Sequence, residues 1–306
     1  MSGTDHAPAR TGHRTLQVLR TERVTPRMAR VTLGGDELAG FPGDGPDQRI
    51  KLFFPMPGQD RPAMPRASSG GPVWPPGQPR PVIRTYTVRR FDAAAGELDV
   101  DFVLHGEHGP AAAWAAAAAP GDWVGVSDPG GRYQPDPAAL AHLVIGDESA
   151  LPAIATVLEA LTLGGTDGGV AAGGAAAGRA EAGRAEAGRA EAGRAAAGMA
   201  AAGGVATGGG VPIEVFIEVA DVAEEQPLPT GPTTRVHWLH RGDRPPGQPL
   251  TDAVTSAGSP AGVDPAHCQA WLSAEAAAVR DIRAHLLDER GLSRRMVYAT
   301  GYWRAR

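Results

Sequence analysis

DFVLHGEHGPAAAWAAAAAPGDWV, residues 101–124, reads as a strand, a glycine turn, a short alanine-rich helix, a turn and a second strand. Gly109 and Pro110 open the helix, and proline suits a first helical position because its missing N–H would have no partner there. The free N–H groups of that first turn, together with the helix dipole, make a seat for a diphosphate. Gly106 and Gly109 leave room for phosphates to approach the backbone. Trp114 lies one helical turn further on, where it can pack under the seat or against an adenine. His105 and His108 have the spacing of a metal pair, but Gly106 lies between them and no third ligand is near, so no metal is expected. His105, at a strand end, is a candidate hydrogen-bond donor or stacking partner for a bound cofactor.

Working outward, Arg84-Thr85-Tyr86-Thr87 ends 14 residues before Asp101, the start of that segment, in a run of strand-forming residues. Alternation along a strand puts Arg84 and Tyr86 on one face and Thr85 and Thr87 on the other. A guanidinium can clamp a diphosphate, an aromatic ring can cover a flavin, and a hydroxyl can hydrogen-bond its edge. Six short runs rich in β-branched or aromatic residues, 15–20, 29–33, 49–54, 83–90, 97–104 and 123–126, are punctuated by glycine, proline and aspartate and suggest a small barrel over 1–135. Residues 57–81 are dense in proline and glycine and interrupt it as an insertion.

From about residue 136 the pattern changes. An apolar run at 142–145 is followed by Gly-Asp and a helical stretch carrying Leu151, Ile154, Leu158 and Leu161. Further strands are expected at 213–219, 235–239, 269–272 and 296–300, with a helix whose Val279, Ile282 and Leu286 share a face. Strands alternating with helices over 136–306 argue a parallel α/β sheet. The segment 164–210 contains the repeat AEAGR, with Arg179, Arg184, Arg189 and Arg194 spiralling round any helix because five residues advance it by about 500°. A basic arm is one reading of it; a disordered spacer poor in large apolar side chains is the favoured one. Gly146-Asp147-Glu148-Ser149-Ala150 sits at the carboxyl end of the first strand, where open sheets place ligands. Its carboxylates would repel a phosphate but suit ribose hydroxyls or adenine amino groups; helix capping by Asp147 or Ser149 is the structural alternative.

Composition narrows the classes. The chain has 306 residues, 42% of them hydrophobic, and a net charge of −5 from 29 basic and 34 acidic side chains that are interspersed. No basic stripe marks a nucleic-acid surface. The one cysteine, Cys268, supports neither an internal disulfide nor an iron–sulfur cluster. No run approaches the 18 or so apolar residues of a membrane span, and the polar N-terminus lacks a signal-peptide core, so a cytoplasmic monomer is expected.

Three segments in order, RTYT, HGEHGPAAAW and GDESALPAI, resemble the flavin-binding set of the siderophore-interacting proteins. VTPRMARVTL (24–33), RVHWLHR (235–241), WLSAEAAAVRDIRAHLLDERGL (271–292) and GYWR (301–304) extend the resemblance over nearly all of the chain outside the two insertions. It implies a ferredoxin-reductase-like fold: a six-stranded antiparallel barrel holding FAD, then a parallel-sheet NAD(P)H-binding-type domain. It also implies reduction of Fe(III) in ferric siderophores with electrons from NADH, NADPH or reduced ferredoxin. Carried onto this chain, Arg84, Tyr86 and Thr87 contact the flavin and its diphosphate, and Val103 and His105 line the flavin. Gly109, Pro110, Ala111 and Trp114 form the diphosphate loop; Asp147, Glu148 and Ser149 lie near the adenosine or the entering nucleotide. Thr85, Leu104 and Ala150 complete the candidate set.

A flavin accepts two electrons and returns them singly, which no side chain can do. Cations beside its open edge would favour an anionic ferric complex, and Lys51, Arg241 and Arg304 are the candidates. Trp303 covers the flavin or packs. Ala274 departs from a glycine common in the family and adds a methyl group at a turn expected to face the nucleotide. Two other functions stay open: a general flavin or ferredoxin-type NAD(P)H reductase, and a siderophore- or FAD-binding protein with a degenerate nucleotide domain.

Overall fold

The computed structural model describes residues 12–43, 45–66, 68, 71–104, 109–131, 133–163 and 210–305. His105 and His108 lie outside the described residues, as does the 164–210 segment apart from Gly210.

The first sheet is antiparallel and has seven strands: β1 (His13–Thr25), β2 (Met28–Gly34), β3 (Arg49–Phe54), β4 (Val82–Thr87), β5 (Arg90–Asp92), β6 (Glu97–Val103) and, after helix α1 (Pro110–Ala117), β7 (Trp123–Ser127). Their order is β4-β3-β7-β1-β2-β6-β5. The sheet curls until β4 faces β6, with the rings of Tyr86 and Phe102 4.3 Å apart. Inside the curl lie Leu16, Val18, Val31, Leu33, Ile50, Leu52, Val100, Phe102, Val124 and Val126, alternate residues of their strands as a sheet with one buried face requires. The run expected as one strand over 83–90 is two, which accounts for the seventh strand. At Val88 and Arg89 the chain changes partners: the Val88 N–H donates to Gln48, still beside β3, and the Arg89 N–H donates to Asp99 of β6.

Among its described residues, the proline-rich 57–81 stretch forms one isolated bridge, Arg66 to Val73, and otherwise has no repetitive structure. It folds back on the sheet. Met64 packs where a Cβ on Gly125 would come within 2.2 Å of its sulfur, and the Arg61 guanidinium stacks 3.6 Å from the centre of the Trp123 ring.

The second sheet is parallel, in the order β10-β9-β8-β11-β12. Its elements are β8 (Ala141–Asp147), α2 (Leu151–Leu163), β9 (Ile213–Val219), β10 (Thr234–His240), α3 (Gln248–Ser256), β11 (Cys268–Glu275), α4 (Ala276–Ala284) and β12 (Val297–Trp303). Helix α2 covers one face; α3 and α4 cover the other, so the central strands are apolar on both sides. The chain builds outward from β8 to β10 and then restarts beside β8 with β11. The crevice outside the carboxyl ends of β8 and β11 is therefore a topological switch point.

Helix α3 has no counterpart in the sequence reading. Its apolar face is only Pro249, Leu250 and Val254. It is docked instead by Glu218, a fully buried carboxylate that accepts from the N–H groups of Gly247 and Leu250.

The two sheets meet around Asp47, in the loop before β3. Its buried carboxylate accepts from the Trp271 indole at 3.3 Å and the Tyr302 phenol at 2.7 Å. Arg49 donates to the Tyr298 phenol at 2.7 Å, and Arg89 pairs with Glu159 of α2 at 3.0 Å. On the opposite flank, Glu224 accepts from the Thr25 hydroxyl at 2.5 Å and the Arg27 N–H at 3.2 Å. Asp47→Ala would leave a buried indole and phenol without an acceptor, and is expected to cost about 3 kcal/mol, read by urea unfolding followed through tryptophan fluorescence. Asp47→Asn retains one acceptor and should lose less. Equal stability of wild type and the alanine variant would show that this node does not hold the sheets together.

Candidate functional site

A cleft of about 930 Å³ runs between the sheets. Strand β4 ends its sheet, so both of its faces border the opening: Arg84, Thr85, Tyr86 and Thr87 all line it. The Arg84 guanidinium donates to the neighbouring Ile83 carbonyl and has no carboxylate partner among the described residues. Tyr86 packs on Phe102, and burial pushes its phenol up to about 12, so it stays neutral. Val103 closes the floor.

Across from β4, the cleft meets the start of α1 at Gly109, Pro110, Ala111 and Ala112. Gly109 occupies the N-cap with no side chain to satisfy the turn, and Pro110 follows at the first helical position. The Ala111 and Ala112 N–H groups therefore lack intrahelical acceptors and border the opening. An unpaired guanidinium and an uncapped helix start in one cleft are the donor set a diphosphate needs, so these residues fit FAD. Trp114 does not line the opening. It packs against Phe54 at 5.1 Å and Phe102 at 5.9 Å, as in the packing alternative. Leu104 packs against the barrel core.

From the parallel sheet come Glu148, Ser149, Pro152, Arg241, Thr300, Gly301, Tyr302, Trp303 and Arg304. Asp147 is buried behind them. Its carboxylate accepts from the Ser149 N–H at 2.9 Å and hydroxyl at 2.5 Å, the Glu275 N–H at 2.9 Å and the Trp303 indole at 2.8 Å. With every acceptor direction committed, Asp147 caps the turn rather than meeting a ribose. Burial raises its pKa to about 6, aided by the charge of Glu148 and opposed by the Ser149 and Trp303 hydrogen bonds. Ala150 is buried under α2.

Arg241 is not free to receive a substrate. Its guanidinium is held in two bonds by Glu148, at 2.9 and 3.0 Å, and by Glu218 at 3.1 Å. Burial works against its charge, but the two carboxylates outweigh that and raise its pKa. Lys51 lies opposite Thr85 in the β3–β4 ladder, is exposed, and stands outside the cleft lining. Arg304 does line it and is exposed. The Ala274 methyl is buried within the sheet's core and faces no entering ligand. Arg49 and Tyr302, both in the lining, escaped the sequence reading. Their signal is the long-range pairing with Asp47 and Tyr298, which no local pattern carries.

A curled antiparallel sheet with an uncapped helix start, joined across a cleft to the switch point of a parallel sheet, defines a fold of the ferredoxin-reductase type. A ferredoxin NADP+ reductase from Neisseria gonorrhoeae shares that fold at 12% identity, with a TM-score of 0.55 over 96% of this chain and 100% of its own. Residues 17–133 match the siderophore-interacting FAD-binding domain, and residues 192–306 match the siderophore-interacting protein family. A siderophore utilization protein from T. fusca is 33% identical, covering 95% of this chain and 92% of its own, with a TM-score of 0.66. The uncharacterized protein Rv2895c of Mycobacterium tuberculosis is 36% identical over 94% of this chain and 89% of its own length. Ferric vibriobactin reductase ViuB of Vibrio cholerae is 42% identical over 48% of this chain and 53% of its own. The chain belongs to the siderophore-interacting protein family.

Arg84→Ala is expected to weaken FAD retention by about 1.5–3 kcal/mol, seen as a raised Kd in a flavin fluorescence titration. An unchanged Kd would take Arg84 out of the site. Asp147 gives a second prediction, in stability. Its folded-state pKa lies above the ordinary 3.8, so its protonated form is favoured by folding. Stability should therefore fall as pH rises from about 4 to about 6, by up to about 3 kcal/mol relative to Asp147→Asn. Denaturation of both proteins across that range tests this; parallel curves would refute it.

Proposed function

We propose that this protein is an FAD-dependent reductase that releases iron from ferric siderophores, taking electrons from NADH or NADPH. The observation that carries the reading is the cleft itself. Its barrel side offers an unpaired Arg84 and the open start of α1, while its other side is the carboxyl edge of a parallel sheet. FAD bound there would supply the exchange between a two-electron donor and a one-electron ferric acceptor.

The chain's own residues have narrower tasks. Arg84, with the Ala111 and Ala112 N–H groups, neutralises the diphosphate. Tyr86, neutral and packed on Phe102, offers a rigid ring edge, and Val103 keeps the floor apolar. Thr85, exposed at the opening, and Thr87, behind it beside Tyr302, can hydrogen-bond the flavin edge. With Arg241 neutralised by Glu148 and Glu218, the cation left to attract an anionic iron complex on this side is Arg304. The ferric complex loses its hold on the metal once reduced, because hard oxygen ligands bind Fe(II) less strongly than Fe(III). The relation to ferric vibriobactin reductase supports this substrate class.

A second reading has its own observation. Trp303 and Ala305 are tied to Asp147 and Glu275 across the crevice where a dinucleotide would ordinarily enter. That favours an FAD- and siderophore-binding protein fed by another donor such as reduced ferredoxin. An anaerobic absorbance spectrum separates the two. Flavin bands that bleach with NADH or NADPH and return on adding a ferric siderophore, with Fe(II) trapped by a chelator, are the expected result. Bands indifferent to both nucleotides would transfer the donor role to ferredoxin, and failure to bind FAD would overturn the proposal.

A further inference from the structure

A second cleft, of about 520 Å³, lies on the other side of the C-terminal strand. It shares Gly301, Tyr302, Trp303 and Arg304 with the flavin cleft, so the end of β12 is the wall between the two. The opposite wall is α4, whose Ala276, Val279, Arg280 and Arg283 fall on one helical face by their spacing. Three guanidinium groups thus border one recess whose floor holds an aliphatic side chain and two aromatic rings.

The charges on those guanidiniums are largely unspent. Arg283 is half-buried and makes no ion pair among the described residues; Arg304 makes none either. Among the described residues Arg280 pairs only with its neighbour Asp281, at 2.9 Å, and both of those side chains are well exposed. Such an exposed pair is worth little and is easily exchanged for a better anion. Elsewhere on this edge of the sheet the balance is reversed. The crevice between β8 and β11 is backed by the buried Asp147 and Glu275, whose carboxylates already hold the Trp303 indole and the Ala305 N–H. A phosphate would be repelled there and attracted one strand further over.

We infer that the Arg280–Arg283–Arg304 cleft is the seat for the phosphates of a pyridine dinucleotide, displaced by one strand from the switch-point crevice. The inference rests on the reductase reading above and names where its electron donor docks. The ligand chemistry follows from the lining: multiple negative charges for the three guanidiniums, and a flat ring for the aromatic side chains beside them. A dinucleotide carries both, and the recess, walled on two sides with Arg283 half-buried, suits a small molecule better than the surface of an acidic protein. Trp303 and Arg304 also line the flavin cleft, so a ligand seated here shares a wall with that cleft.

The test uses FAD-loaded protein, with NADP+ and NADPH as probes. Calorimetric titration with NADP+ should show affinity that falls with added salt. Arg280→Ala and Arg283→Ala should each raise Kd by about tenfold or more, and the double variant further. Neither side chain belongs to the apolar core beneath α4, and an unchanged far-ultraviolet circular dichroism spectrum and FAD content would show that the fold is intact. Unchanged affinity in the double variant would overturn the site, as would an absence of nucleotide binding by wild type. A loss of ferric-siderophore affinity in the variants, with nucleotide affinity intact, would also overturn it by assigning the cleft to the iron complex. Wild type that binds NADP+ through these arginines, but whose flavin NADPH does not reduce, would keep the nucleotide seat and remove the donor role from the proposed function.

Discussion

The Asp47 carboxylate is the contact on which the arrangement of the two sheets turns. It comes from the barrel loop before β3, in a left-handed backbone conformation with φ of 54°, which aspartate tolerates better than most residues. It is fully buried and receives an indole from β11 and a phenol from β12. A carboxylate there is stable only while those donors are present, since a buried charge without partners is expensive. The same two residues belong to the strands that carry Glu275 and Trp303 to the edge of the cleft. Asp47 therefore ties together the two sheets that border the cleft. Tyr302 adds a direct link, because its phenol also meets the hydroxyl of Thr87, one of the cleft-lining residues of β4.

A second set of buried carboxylates organises the far wall. Glu218 anchors the start of α3 and one side of Arg241, and Glu148 holds the other side. Arg241 is a structural cation: removing it would leave two carboxylates facing each other in a poorly solvated place. This explains why an arginine at the carboxyl edge of a parallel sheet, where anions are ordinarily received, does not serve as a receptor.

The parts of the site that were legible in the sequence are those built from local rules. RTYT lies on a strand, and Gly109-Pro110 starts a helix with its N–H groups free, because alternation and N-terminal chemistry are properties of neighbouring residues. The parallel sheet followed from apolar runs alternating with helical periodicity. What escaped was set by contacts distant in sequence. The strand over 83–90 breaks because its two halves find different partners, and α3 forms because Glu218, 29 residues before Gly247, caps it. Trp114 and Arg241 had the right chemistry for ligand contacts, but Phe54 and Phe102 claim one, and Glu148 and Glu218 claim the other. Asp47 offered no signal at all: a lone aspartate in a loop reads as a turn residue until its indole and phenol partners are known.

The C-terminal segment shows how these constraints act together. Trp303 could have covered a flavin or packed, and the answer is a third arrangement, in which its indole is spent on Asp147. Swinging the segment aside would strip a buried carboxylate of one donor and free the Ala305 N–H from Glu275, whose other oxygen caps α4. Each loss costs on the order of 1–3 kcal/mol, which ties the strand end to the sheet beside it. The same short stretch of chain thus borders both clefts. Only Arg304 beyond it, exposed and without an ion pair among the described residues, carries a charge that borders both sides.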